Sequence, residues 1–170
     1  ADLENEIVGT FDNMTFRSSV DNLTEDSKRE GVEVSLVARP TRSLDIVGSY
    51  TYTDSVQVRN GVEQREVRRP EHMARLDVNY RFRNDRAQVG LGVVYNGDMD
   101  DLEFISATPE TVVTLDNYTL VRLSGSYRIN ENVQWYGRVE NVFDESYEEV
   151  FGFNTPGLGA YTGIRVKLGE

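Results

Sequence analysis

The chain has 170 residues, enough for one ordinary domain, with 18 Lys plus Arg against 29 Asp plus Glu and a formal charge of −11. That balance, with no basic patch, excludes a phosphate-tracking protein, so no nucleic-acid partner is expected. With no cysteine there is no disulfide framework, thiolate metal site or thiol nucleophile.

Taken from the start, Ala1-Asp2-Leu3 carries no basic, apolar leader, and no apolar run approaches the ~18 residues of a spanning helix. The chain is therefore expected to be mature, excised or soluble. Nine tyrosines within an aromatic content of 10% suit strands better than helices. No long stretch holds helical spacing, whereas strict alternation recurs. A first strand is expected near Glu6 to Phe11. In the next run, Val32, Val34, Leu36 and Ala38 face away from Glu33, Ser35 and Arg39. Then Leu44, Ile46, Gly48, Tyr50 and Tyr52 oppose Asp45, Val47, Ser49, Thr51 and Thr53. Ala74, Leu76, Val78, Tyr80 and Phe82 oppose Arg75, Asp77, Asn79 and Arg81, and Ala87 to Tyr95 repeats the design. Thr119 to Ile129 places Val121, Leu123 and Tyr127 opposite Arg122 and Arg128. Val133, Trp135, Gly137 and Val139 oppose Gln134, Tyr136, Arg138 and Glu140, and Thr162 to Leu168 closes the series with Arg165 on its polar side.

The connections alternate in length. Residues 39–43, 83–86 and 130–132 are short and rich in turn formers. The stretches from about Asp54 to Arg69, Asn96 to Asn117 and Asn141 to Gly159 far exceed a hairpin loop. Short turns at one end and long loops at the other predict an all-β, antiparallel up-and-down barrel of about eight strands, of the transmembrane outer-membrane type.

Periodicity defines two faces without saying which points inward. With the apolar face inward, the chain would be a soluble lipocalin-like binder of hydrophobic ligands. With it outward, acyl chains or detergent would cover Val, Leu, Ile and aromatic positions. The lumen would then hold a charge network of Arg75, Asp77, Arg81, Arg122, Arg128, Arg138, Glu140 and Arg165, whose opposite signs can pair. Tyr50, Tyr52, Tyr80, Phe82, Tyr95, Tyr127 and Tyr161 stand where interfacial girdles would form.

Near the end, the stretch Asn141-Val142-Phe143-Asp144-Glu145-Ser146-Tyr147 and then Ala160-Tyr161-Thr162-Gly163-Ile164-Arg165-Val166 resemble the last two strands of TonB-dependent outer-membrane receptors. Ser27-Lys28-Arg29-Glu30-Gly31-Val32-Glu33-Val34 resembles the segment leading into a barrel strand about seven from the end of that family. The resemblance implies a bacterial outer-membrane location and a parent that imports a small molecule such as a siderophore or vitamin B12. Complete receptors have about 22 strands and a plug in the lumen. Residues 1–170 therefore read as one β-barrel domain corresponding to the last strands of a larger barrel, with the plug absent. Because an open sheet exposes two long edges, closure as an eight-stranded barrel is expected.

His72, the one histidine, is the candidate general base of an ester or lipid hydrolase, although a histidine at a strand end is more often interfacial and no nucleophile elbow accompanies it. Asp98, Asp100, Asp101 and Glu103 are candidate ligands for a divalent cation; their spacing fits no EF-hand, and solvated loop charge is the plainer account. No cofactor is expected.

Overall fold

In the computed structural model, residues 2–3, 7–12, 14–22, 27–59, 62–103, 105 and 111–168 are described. The strands are β1 (Asp2–Leu3), β2 (Ile7–Asp12), β3 (Arg17–Asn22), β4 (Ser27–Thr41), β5 (Leu44–Arg59), β6 (Val62–Arg65) and β7 (His72–Phe82). They continue as β8 (Ala87–Asn96), β9 (Met99–Glu103), β10 (Thr111–Leu115), β11 (Tyr118–Arg128), β12 (Val133–Glu140) and β13 (Gly159–Val166). The main sheet runs β1-β4-β5-β7-β8-β11-β12-β13, every pairing antiparallel, with β6 bonded to the far end of β5.

The strict alternation is what fixes the register, because a one-residue slip would carry every apolar side chain to the charged face. One continuous row, Ala38-Ile46-Val78-Leu91-Leu123-Val139-Ala160, crosses seven strands on the apolar side. Nothing covers it. Leu76 is 37% exposed, Val89 47% and Trp135 45%, while the buried hydrophobic residues among those described are Ala87, Met99, Leu115 and Tyr118. A water-soluble barrel would draw these rows together in its interior. The hairpin at 83–86 turns through three successive residues of positive φ, Arg83, Asn84 and Asp85.

Three expectations change. The sheet is open among the described residues, not a closed eight-stranded barrel: β13 bonds β12 alone, and β4 is flanked on its outer side only by the two residues of β1. Closing so few strands would demand a tight arc. The stretch 54–69 is not a free loop, since β5 continues to Arg59 and β6 folds back on it, and 96–117 carries the β9–β10 hairpin. Tyr161 is not on the apolar face; it pairs with Arg138 across the ladder and shares the polar side.

Candidate functional site on the inner wall and its mouth

The polar face is built row by row. Asp77, Gly92 and Arg122 lie side by side on β7, β8 and β11. The Arg122 guanidinium passes over Gly92, where a Cβ would stand only 3.1 Å from Nη2, and reaches Asp77 Oδ1 at 2.9 Å. Arg75 Nε meets the other oxygen of the same carboxylate at 2.6 Å. Nearer the short turns, Asp45 repeats the device, accepting from Arg39 at 2.8 Å and from Arg81 at 3.0 Å. Arg138 pairs with Glu140 at 3.0 Å and lies 4.7 Å from the Tyr161 ring centroid. Arg165 reaches Gln134 Oε1 at 3.4 Å and lies 5.7 Å from the ring centroid of Tyr136. Arg128 stands at the turn end, its backbone N–H bonded to the Arg86 carbonyl. All eight residues of the expected charge network thus lie on one face. Sequence reasoning missed Asp45, the carboxylate that joins the network's Arg81 to Arg39, and the place of Tyr161 beside Arg138.

At the long-loop end the connections lock together through polar groups. Asp101, with none of its surface exposed, accepts from Arg68 Nε at 2.7 Å, from the Phe151 N–H at 2.7 Å and from the Leu102 N–H at 2.8 Å. Burial works to raise its pKa, but the two amides and the guanidinium outweigh it and hold the carboxyl below its ordinary value. Three separate loops meet on that carboxylate. Glu66 accepts from Arg29 at 2.6 and 2.8 Å, from Arg69 at 2.9 Å and from the Ser55 hydroxyl. Burial opposes its ionisation and these donors prevail, lowering it from 4.5 to about 2. The Tyr118 ring lies tilted against that of Tyr147 with centroids 4.3 Å apart, and its hydroxyl donates to Glu149 at 3.2 Å.

Asn141, the first residue of the motif near the chain end, has φ of 48° and ties both limbs of the last loop. Its amide nitrogen donates to the Glu145 carbonyl at 2.8 Å and to the Pro156 carbonyl at 3.5 Å, and its Oδ1 accepts from the Glu145 N–H at 2.9 Å. Asp144 accepts from the Leu158 N–H at 2.7 Å. The motif is thus a loop clasp, which explains why its Asn, Asp and Tyr fall where they do.

The candidate cation ligands are held apart. Asp98 pairs with Arg65 at 3.4 Å, Asp100 accepts from Thr114 at 3.0 Å, Asp101 is enclosed as described, and Glu103 accepts from the Ile105 N–H at 2.8 Å. Among the described residues no group of three or more His, Asp or Glu side chains is arranged to hold a metal ion. His72 stands on the apolar face at the loop end: Tyr50 Oη is 2.8 Å from Nδ1, and the Tyr52 ring centroid is 5.2 Å away. These are girdle neighbours.

Residues 1–142 match the family described as TonB dependent receptor-like, beta-barrel. The chain is 29% identical over 120 residues to the vitamin B12 transporter BtuB of Photobacterium profundum, covering 71% of this chain and 18% of that protein. The corresponding transporter of Vibrio cholerae is 30% identical over 97 residues, covering 57% of this chain and 15% of its own length. Among solved structures, the pyoverdine outer membrane receptor FpvA of Pseudomonas aeruginosa shares the fold with a TM-score of 0.77 at 18% identity, over 98% of this chain and 26% of that one. The siderophore receptor PiuA of Acinetobacter baumannii gives 0.71 at 21% identity, over 97% and 25%. This chain therefore spans under a third of the length of each of these relatives, which accounts for the open sheet. It belongs to the TonB-dependent receptor β-barrel family, as a segment of the outer-membrane barrel of such a receptor.

Proposed function

We propose that residues 1–170 form one unit of barrel wall in a receptor that takes up a scarce nutrient, a metal chelate or a cobalamin, across the outer membrane. The carrying observation is the separation of the two faces beneath a packed mouth. The uncovered apolar rows call for acyl chains, and the arginine-lined face opens under loops that Asp101, Asn141 and Tyr118 hold together. Membrane lipid or detergent is the partner of the first face, and a small molecule on its way inward is the partner of the second. The loop carboxylates take guanidinium and hydroxyl or amide donors, so no divalent cation enters this reading.

The test is complementation. A strain stripped of its own receptors and given the receptor that carries this barrel segment should accumulate labelled cobalamin or a ferric chelate, and should lose that uptake when TonB is deleted. Failure to accumulate any compound of either class would remove the proposal.

A further inference from the structure

At its short turns the sheet reverses the sign of the chain. Residues 39–45, 81–86 and 128–132 hold six arginines against three carboxylates, Asp45, Asp85 and Glu131, in a chain of net charge −11. Arg39 and Arg81 share Asp45, and Arg81 also reaches Asp85 at 3.7 Å. Arg42, Arg83, Arg86 and Arg128 have no carboxylate partner among the described residues. Of these, Arg86 is held on the apolar side. Its guanidinium carbon lies 5.9 Å from the Tyr127 ring centroid, and it donates through Nη2 to the Ile129 carbonyl at 2.8 Å and through Nε to the Arg128 carbonyl at 3.4 Å. The Nη1 hydrogens take no part in these bonds. Tyr127 belongs to the row Phe82-Ala87-Tyr127-Trp135-Ile164, at the turn end of the apolar face. Because β7, β8 and β11 each have both neighbours in the sheet, none of this setting depends on strands outside the chain.

We infer that Arg86 and its turn form a headgroup site for an acidic phospholipid in the leaflet that meets the short turns. The inference rests on the reading that the apolar face meets acyl chains, and it adds which lipid is held there. A guanidinium without a counter-charge, set directly beside an apolar row, suits a ligand that carries an anion and a hydrocarbon tail together; a soluble anion would use only the first of these. Tyr127 supports the flat face of the guanidinium, the two carbonyls fix its place, and the Nη1 hydrogens are left for a phosphate oxygen. Arg83 adds a second charge in the same turn. A chain of −11 is repelled by an anionic leaflet unless its basic groups are gathered where the two meet, and the short turns are where they are gathered. Short turns are periplasmic in barrels of this kind, so the leaflet is the inner one.

The test is photo-crosslinking in the receptor that carries this barrel segment, reconstituted in nanodiscs of equal parts phosphatidylglycerol and phosphatidylcholine. With Phe82→p-benzoylphenylalanine, the mass of the captured lipid identifies its headgroup, and phosphatidylglycerol should be taken about fivefold or more over phosphatidylcholine. Arg86→Gln should cut that preference roughly three- to fivefold, while Arg86→Lys, which keeps the charge, should retain most of it. The same probe at Tyr52, on the same face at the long-loop end, should show no preference. Glycerol 3-phosphate, added at constant ionic strength, should leave the preference at Phe82 intact. Equal capture of the two lipids, an Arg86→Gln variant that keeps the preference, an Arg86→Lys variant that loses as much as the glutamine, the same preference at Tyr52, or its abolition by glycerol 3-phosphate would each overturn the headgroup site and leave the lipid-facing reading standing. Capture of no lipid at all at Phe82 would remove both.

Discussion

Asp101 and Glu66 show how single carboxylates organise the mouth of a barrel. Asp101 is buried and Glu66 half-buried, each is held ionised by donors that include one from a distant part of the chain, and each would be costly to leave half-paired. Replacing Asp101 by Ala strips Arg68 and the Phe151 amide of their common acceptor. The expected outcome is a local loss of about 2 kcal/mol, read as faster hydrogen exchange at Phe151 and early protease cleavage within 141–159, with the strands unaffected. The Glu66 pKa is depressed in the folded state, so its contribution is complete above its ordinary value of 4.5 and fades as pH falls through about 2. The amide of Glu66, bonded to the Ser55 carbonyl at 2.9 Å, should stay protected from exchange at pH 5 and lose protection between pH 4 and 2. Glu66→Gln should remove that pH dependence. None of these partnerships could be found from sequence. Asp101 meets an amide 50 residues away and Glu66 a guanidinium 37 residues away, and an acidic run by itself suggests a cation as readily as an arginine.

At the scale of the strand, alternation carries the information. β7, β8, β11 and β12 were expected within one or two residues of where they lie, because Leu76, Leu91, Leu123 and Val139 recur at period two against Asp77, Arg122 and Arg138. β6 and the β9–β10 hairpin were not expected, since Val62-Glu63-Gln64-Arg65 has one apolar residue and Met99-Asp100-Asp101-Leu102-Glu103 does not alternate. Those short strands exist through pairing with a neighbour that is already extended. The same logic distinguishes the faces by mutation. Leu91→Arg, in the middle of the apolar row, should destabilise the membrane-folded state by roughly 2–4 kcal/mol, while Ser126→Arg on the inner face should cost about 1 kcal/mol or less, both measured by denaturant titration in vesicles. Gly92→Val would obstruct the crossing of Arg122 to Asp77 and should uncouple that ion pair without loss of the ladder.

Across the whole molecule, charge and polarity are sorted by position. The chain carries −11, yet the polar face of the sheet has Arg39, Arg75, Arg81, Arg122, Arg128, Arg138 and Arg165 against Glu33, Asp45, Asp77 and Glu140, so the acidic excess resides away from that face. What the residue pattern could not supply was curvature: the two periodicities are the same in a narrow barrel and in an arc of a wide one, and the open ends of the sheet distinguish them.

The sorting of the two faces requires lipid on one side of the sheet and the aqueous lumen on the other. Trp135, the sole tryptophan, reports this directly, since it lies in the apolar row between Tyr127 and Ile164 with its indole N–H bonded to Thr162 at 2.9 Å. In bilayers of bromine-labelled phosphatidylcholine its fluorescence should be strongly quenched, and aqueous iodide should have little effect. Strong quenching by iodide with indifference to the brominated chains would place that face in water and contradict the account.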